Sequence, residues 1–307
     1  MTEHNQYLRK AKLLIGDDKD GIDLSALHFS FQIKQAMVEM PQTALLRVYN
    51  MAAATSKAIK ANEYTRIVLE AGYREGAYGV IFDGEIIQAR LGRESAVDTY
   101  FDVIAAEAYS AHQAVVSATL AAGATAHDAA NAAAGTMGRP TNFVGSVTRP
   151  ALPRGQALYG MSRDVLHQTA ATAGYSFFYD AGEVVFVPLD GYRNDDLVVM
   201  DATTGMIGWP EQTQDGVRVR CLLNPLLAVG SRLQIDNASI LRAQYSTDIS
   251  FIAGNLPSLD ADGIYRVCVI EHRGNTRAND WYSDIIALSV DSANAGLTGL
   301  VQKGQFS

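Results

Sequence analysis

The feature that most limits what this chain can fold into is the stretch from Val198 to Asp236, where apolar residues recur at every second position between turn residues. Val217, Val219 and Cys221 alternate with Arg218 and Arg220, and Leu233 and Ile235 alternate with Arg232, Gln234 and Asp236. A period of two puts successive side chains on opposite faces, so each run predicts a strand with one buried face. Asp215-Gly216 is a hairpin signal before the first run, and Asn224-Pro225 and Gly230 turn the chain out of the sheet and back. The stretch holds no nucleophile paired with a base, no ligand cluster and no phosphate loop, and it predicts a scaffold.

The same pattern governs the first third. Phe29, Phe31 and Ile33 alternate with Ser30, Gln32 and Lys34, and Ile67, Leu69 and Ala71 alternate with Arg66, Val68 and Glu70. Asp83-Gly84 predicts a hairpin inside Val80 to Ile87, and turn chemistry recurs at Asp20-Gly21, Gly72, Gly76 and Gly79. Short strands so punctuated predict a barrel or sandwich rather than a doubly wound fold. The Ala-rich run Met51 to Ala61 predicts a short helix or an excursion between strands, and Val97, Phe101, Ile104 and Ala108 stand at helical spacing.

The middle third mixes both periods. Thr125 with Asp128 predicts a capping box for a helix that stops at Gly135, its alanines suiting close helix packing or, as the commoner explanation, a solvated surface. The prolines at 140, 150 and 153 mark an irregular connection. Met161, Val165, Leu166 and Thr169 then form one face of a helix capped by Ser162 and stopped by Gly174. Strands Tyr175 to Tyr179 and Val184 to Val187 follow, around Asp180-Ala181-Gly182. Two more strands, Ile264 to Glu271 and Tyr282 to Val290, precede a Gly- and Ser-rich tail from Asp291 that is expected to be loosely held.

Two groups of these residues carry a resemblance. Thr204-Gly205-Met206-Ile207-Gly208, Pro210, Asp215-Gly216-Val217, Cys221-Leu222-Leu223-Asn224-Pro225 and Gly230 resemble the second barrel of the central baseplate hub proteins of contractile-tailed phages. Tyr265-Arg266-Val267, His272, Gly274, Thr276-Arg277 and Asp280-Trp281-Tyr282 resemble that family's closing hairpin, with Asn275 where its pattern has Asp. The segment Gly84 to Tyr100 is similar to the family's exit from its first barrel, so that barrel is expected to end near Arg93, and the resemblance allows the latter part of the Val97 to Ala108 run to be a strand instead of a helix.

The resemblance implies a mainly β fold with a smaller α/β part: two antiparallel, tail-tube-like β barrels with an inserted α/β domain. The implied divisions are 1–93, 94–196 and 197–307. It also implies a homotrimer whose six barrels form a pseudo-sixfold ring between the hexameric tail tube and the threefold central spike, lining a channel that DNA crosses. Other baseplate proteins and the tape measure are the further partners it suggests, the virion tail baseplate is the implied location, and the host cytoplasm the site of assembly. A related alternative is the hub of a contractile secretion or injection system. An alternative of another class is a tail-associated cell-wall hydrolase, which needs an acid pair in a deep cleft.

Composition sets limits around these readings. The net charge of −8 provides no basic footprint for gripping phosphates, so DNA is expected only in transit. Only 19% of residues are charged, which suits either a surface covered by partners or a large core. Cys221 and Cys268 fall inside strand patterns and make no disulfide framework. The N-terminus lacks the apolar segment of a signal peptide, and no run reaches the ~18 apolar residues of a membrane span.

Candidate chemistry is sparse. Asp18 with Asp20-Gly21, and Asp260 with Asp262-Gly263, imitate part of a calcium loop, but Gly16 and Ser258 stand at the first ligand position and Leu27 and Val269 at the twelfth. The six histidines show no HxxxH spacing, and Asp195-Asp196 reads as a solvated turn. The expectation is therefore no catalytic residue, cofactor or metal. His272, Arg273 and Arg277 around Gly274 form a basic hairpin tip, either an exposed loop or a contact with a neighbouring subunit. Trp281 is a core or interface anchor in preference to a sugar-stacking platform.

Overall fold

Apolar alternation becomes sheet through most of the chain, as the computed structural model shows for residues 6–17, 21–61, 63–145, 151–193, 197–213, 215–241 and 259–290. In chain order the first elements are β1 (Arg9–Gly16), β2 (Gly21–Asp23), β3 (Phe29–Ala36), β4 (Thr43–Tyr49), α1 (Ala53–Lys60), β5 (Arg66–Tyr73), β6 (Tyr78–Arg93) and β7 (Thr99–Ala106). The middle contributes α2 (Tyr109–His112), β8 (Val115–Leu120), α3 (Ala126–Thr136), β9 (Thr141–Phe143), β10 (Gln156–Met161), α4 (Ser162–Ala173), β11 (Tyr175–Asp180) and β12 (Glu183–Pro188). The last third adds β13 (Val198–Met200), β14 (Met206–Thr213), β15 (Gly216–Leu222), β16 (Arg232–Ile235), β17 (Ile264–Asn275) and β18 (Trp281–Leu288).

The protein is mainly β and is dominated by one large sheet with the strand order β14-β15-β18-β17-β3-β4-β7-β6-β5-β1-β2. β13 and β16 join it through β17, and every ladder of this sheet is antiparallel except β13 with β16. The path is open at β2 and β14, so among the described residues no ladder closes it into the two barrels expected from the sequence. β6 links the two parts of this sheet, pairing with β5 up to Glu85 and with β7 from Glu85 to Arg93.

Three buried clusters hold the chain together. The first gathers Leu13, Ile33, Leu46, Leu69, Phe101 and Val103, and takes Leu223 and Trp281 from the last third. The second joins Val219, Leu233, Tyr265 and Ile285 to Phe178, Val185 and Val187 of β11 and β12. The third packs α3 and α4 on the other face of β11 and β12 through Ala130, Ala134, Leu166, Phe177 and Phe186. Arg266 is fully buried between the second cluster and the α/β part. Its guanidinium donates to the carbonyls of Pro188, Leu189 and Gly191, fastening the chain after β12 to the sheet.

Several expectations need correction. Asp83-Gly84 lies inside β6 and makes no hairpin. Gly84 is there for close approach: a Cβ would stand 2.7 Å from both the Ala106 carbonyl oxygen and Phe82 Cζ. The segment around Val97 to Ala108 holds strand β7 rather than a helix, because Phe101, Val103 and Ala105 alternate into the core and outweigh the coincident helical spacing. The capping box of α3 forms as expected, with Thr125 N donating to Asp128 and Asp128 N to Thr125 Oγ1. The helix nevertheless runs past Gly135 to Thr136, and Gly138 takes the left-handed conformation at φ 67°.

The alanines of α3 are not solvated, since Ala129, Ala130, Ala133 and Ala134 are buried. Ser162 does not cap α4; it is buried, and its hydroxyl meets that of Thr136 at 2.6 Å. The ribbon of β8 and β10 has no clear signature in the sequence. Gly174 and the Ala181-Gly182 turn behave as expected, with φ of 76°, 48° and 85°. Asp18, Asp20, Asp195, Asp196 and the tail from Asp291 lie outside the described residues.

Two of these glycines give opposite expectations. Gly84→Ala should destabilise the protein by about 1 to 3 kcal/mol, since the added carbon overpacks a backbone contact. Gly135 is inside a helix with nothing within 4 Å of where a Cβ would stand, so Gly135→Ala should leave stability unchanged or raise it by up to about 1 kcal/mol. Urea unfolding of both variants checks the pair.

Candidate interaction face

The strands from β14 to the second half of β6 present a polar face whose rows are fixed by register. One row runs Arg220, Asp284, Glu271, Lys34 and Thr43 across five strands. The next runs Tyr282, Arg273, Gln32, Leu45, Ile104 and Gln88. A third holds Ser30, Arg47, Asp102 and Arg90. Arg220 therefore sits directly across from Asp284, Lys34 across from Glu271, and Asp102 between Arg47 and Arg90, while the carboxylates of Asp284 and Glu271 are themselves neighbours.

The contacts are geometrically good. Arg220 grips Asp284 with two hydrogen bonds at 2.7 and 3.1 Å, and Arg47 grips Asp102 at 2.7 and 3.0 Å. Glu271 accepts from Gln32 and Arg273 and lies 3.8 Å from the Lys34 ammonium. Arg47 also lies over the Tyr100 ring at 4.0 Å and Arg220 over the Tyr282 ring at 4.4 Å. Hydrogen bonds to the facing carboxylates push the guanidinium pKa of Arg47, Arg220 and Arg273 up. Solvated pairs of this kind add little stability singly. Bidentate geometry and stacking instead hold the side chains in place, so the face is orderly and its donors are already engaged. Leu45 and Ile104 form an exposed apolar pair within it.

The four candidate contact residues separate. Arg273 belongs to the polar face. His272, its neighbour on β17, points the other way and is buried, sharing a hydrogen bond of 2.7 Å between Nδ1 and Ser283 Oγ. Burial pushes its pKa down to about 4. Trp281 is buried too, edge-on to Phe31 at 5.6 Å, with the Arg9 guanidinium 5.6 Å over its ring. Gly274 lacks a side chain because a Cβ would meet the Phe31 ring at 2.3 Å, so it lies in the ladder and not at the hairpin tip.

Arg277 alone of the four sits in the turn after β17, where with Leu27, His28, Tyr49, Asn50 and Asp98 it lines an open cleft of about 480 Å³. Asn275 shapes that turn. Its Oδ1 accepts from the backbone of Arg277 and Ala278 and meets His28 Nε2 at 2.9 Å, the acceptor work an aspartate would do. Asp260 is likewise structural, its carboxylate accepting from Asp262 N, Ile264 N and the Ser289 hydroxyl. Among the described residues no three His, Cys, Asp or Glu side chains converge as a metal site requires. Both cysteines are free and buried, and burial pushes the Cys221 thiol up to about 12. Among the described residues no helix is long and apolar enough to cross a membrane.

A family model described as Baseplate hub gp41 matches residues 27–241. Among solved structures, the 43 kDa tail protein of prophage MuSo2 from Shewanella oneidensis superposes with a TM-score of 0.61 at 7% identity, covering 92% of this chain and 98% of that one. A tail protein from Neisseria meningitidis MC58 gives 0.59 at 9% identity, covering 94% and 99%. A component of the E. coli type VI secretion system, described as similar in structure to the T4 bacteriophage tail proteins gp27 and gp5, gives 0.53 at 10% identity, covering 91% and 76%. At these identities the likeness is one of fold. No curated protein matches the sequence.

The buried imidazole gives a pH prediction. The folded pKa of about 4 lies below the ordinary 6.5, so the unfolded chain binds a proton that the folded chain refuses between those values. Stability should fall as pH drops from about 6.5 to about 4, by at most about 3 kcal/mol from this residue, and no further below. Urea unfolding at several pH values should show a shallower acid limb for His272→Gln. Parallel limbs would assign the loss to other groups.

Proposed function

Because the chain belongs to the baseplate hub family, we propose that this structural phage-tail protein acts as the ring-forming hub of its baseplate. The observation that carries the reading is the family match, which runs from β3 through β16. In this reading residues 1–93, completed by β7, and residues 197–307 are two tube-like units, and the rest of 94–196 is an α/β domain attached to them. Three chains then supply six such units around an axis, adapting a sixfold tail tube to a threefold spike. The virion tail is where the protein resides.

The polar face suits a channel wall. Lys34, Arg47, Arg90, Arg220 and Arg273 are all ion-paired to Asp102, Glu271 or Asp284, so a passing polyanion finds few unengaged cations to displace counter-ions from. A second reading, the hub of a contractile secretion apparatus, draws support from the fold likeness to the E. coli component. The two differ in their particles: the phage reading expects this chain in particles that carry packaged DNA, the other in particles without it.

Light scattering on the purified chain should give three times the mass of one chain. A monomer at every concentration, or a dimer, overturns the hub reading.

A further inference from the structure

The eight-strand run β14-β15-β18-β17-β3-β4-β7-β6 ends in two edges that both leave apolar side chains in water. At one end β6 continues to Arg93 along β7, but beyond Glu85 its other edge faces no strand among the described residues. Ile87 and Leu91 are 40% and 48% exposed there, beside the exposed Arg90 and Arg93. At the other end β14 breaks register between Ile207 and Glu211. This break leaves Trp209 65% exposed and Ile207 41% exposed, and Leu241, bridged to Glu211, is 50% exposed beside them.

The two edges differ in kind. Along β14 the Pro210 carbonyl and the Gln212 N–H already bond to Leu241, so this edge offers side chains more than free backbone. Exposed sheet edges are normally guarded by charge, proline or a covering segment. Here proline and a bulge guard the backbone of β14 but put a tryptophan in water, and tryptophan is among the residue types most enriched where binding energy concentrates.

We propose that the β14 edge of one copy packs against the β6 edge of a second copy, with Trp209, Ile207 and Leu241 on Ile87 and Leu91, and Glu211 facing Arg93. The proposal rests on the hub reading and names the surfaces through which its copies meet. Charge selects the pairing. Two β6 edges brought together by a twofold axis would set Arg93 against its own copy, whereas the β14 edge brings the exposed carboxylate of Glu211. The contact is heterologous, and a heterologous contact that closes makes a ring.

Disulfide trapping tests this. Both native cysteines are buried, so thiols placed at Leu91 and Trp209 are the accessible ones. In the double variant L91C/W209C, mild oxidation of the folded protein should give covalent dimers and trimers on a non-reducing denaturing gel, while either single variant stays at the mass of one chain. Trp209→Ser should raise the dissociation constant of the oligomer at least tenfold without moving the urea midpoint measured at a concentration where both proteins are monomeric. An oligomer by light scattering whose double variant does not cross-link, or whose Leu91→Cys variant cross-links as well alone, overturns these edges and leaves the hub reading standing. A chain that stays monomeric at tens of micromolar overturns both.

Discussion

The ladder between β3 and β17 is the constraint on which the rest of the structure depends. It pairs Ser30–Ala36 with Val269–Asn275, joining segments from opposite ends of the sequence into one sheet. β17 can serve β16, β3 and β18 together because its register shifts between Val267 and Val269. Side chains complete the join: Gly274 makes room for the Phe31 ring, and Phe31 meets Trp281 edge-on. Closing so long a loop costs only slightly more than closing a short one, since the entropy grows with the logarithm of length. The cost appears in the rate, because such contacts stabilise the chain only after distant parts have met.

Strands with one buried face were legible in the sequence, since burial itself writes the alternation. β3 and β15 show it fully, with every second residue buried. Turns were less legible, because glycine serves two purposes. Asp215-Gly216 does lead from β14 into β15, yet Asp83-Gly84 is needed for closeness to Ala106 and makes no turn. In β7 the residues Phe101 and Ile104 fit a helical spacing, but only Phe101 faces the core, a distinction that requires knowing the neighbours.

The polar face was the least legible part. Its members are ordinary polar positions of separate strands, and Arg220 finds Asp284, or Gln32 finds Glu271, only through a register that long-range pairing sets. The expectation of a basic hairpin tip failed for a related reason. His272 and Arg273 are adjacent in sequence and so face opposite sides of a strand, one into the core and one onto the face. Asn275 in place of Asp proved compatible with the turn, because the turn uses a side-chain oxygen and not its charge.

Together these features describe a subunit whose interior binds its two ends into one sheet and whose exposed face carries interlocked ion pairs, with apolar edges left for its own copies. Electron microscopy of the purified protein at high concentration tests that claim most directly. The expected result is closed particles with threefold symmetry and six similar lobes around a central hole. Particles of one chain, or pairs related by a twofold axis, would contradict it.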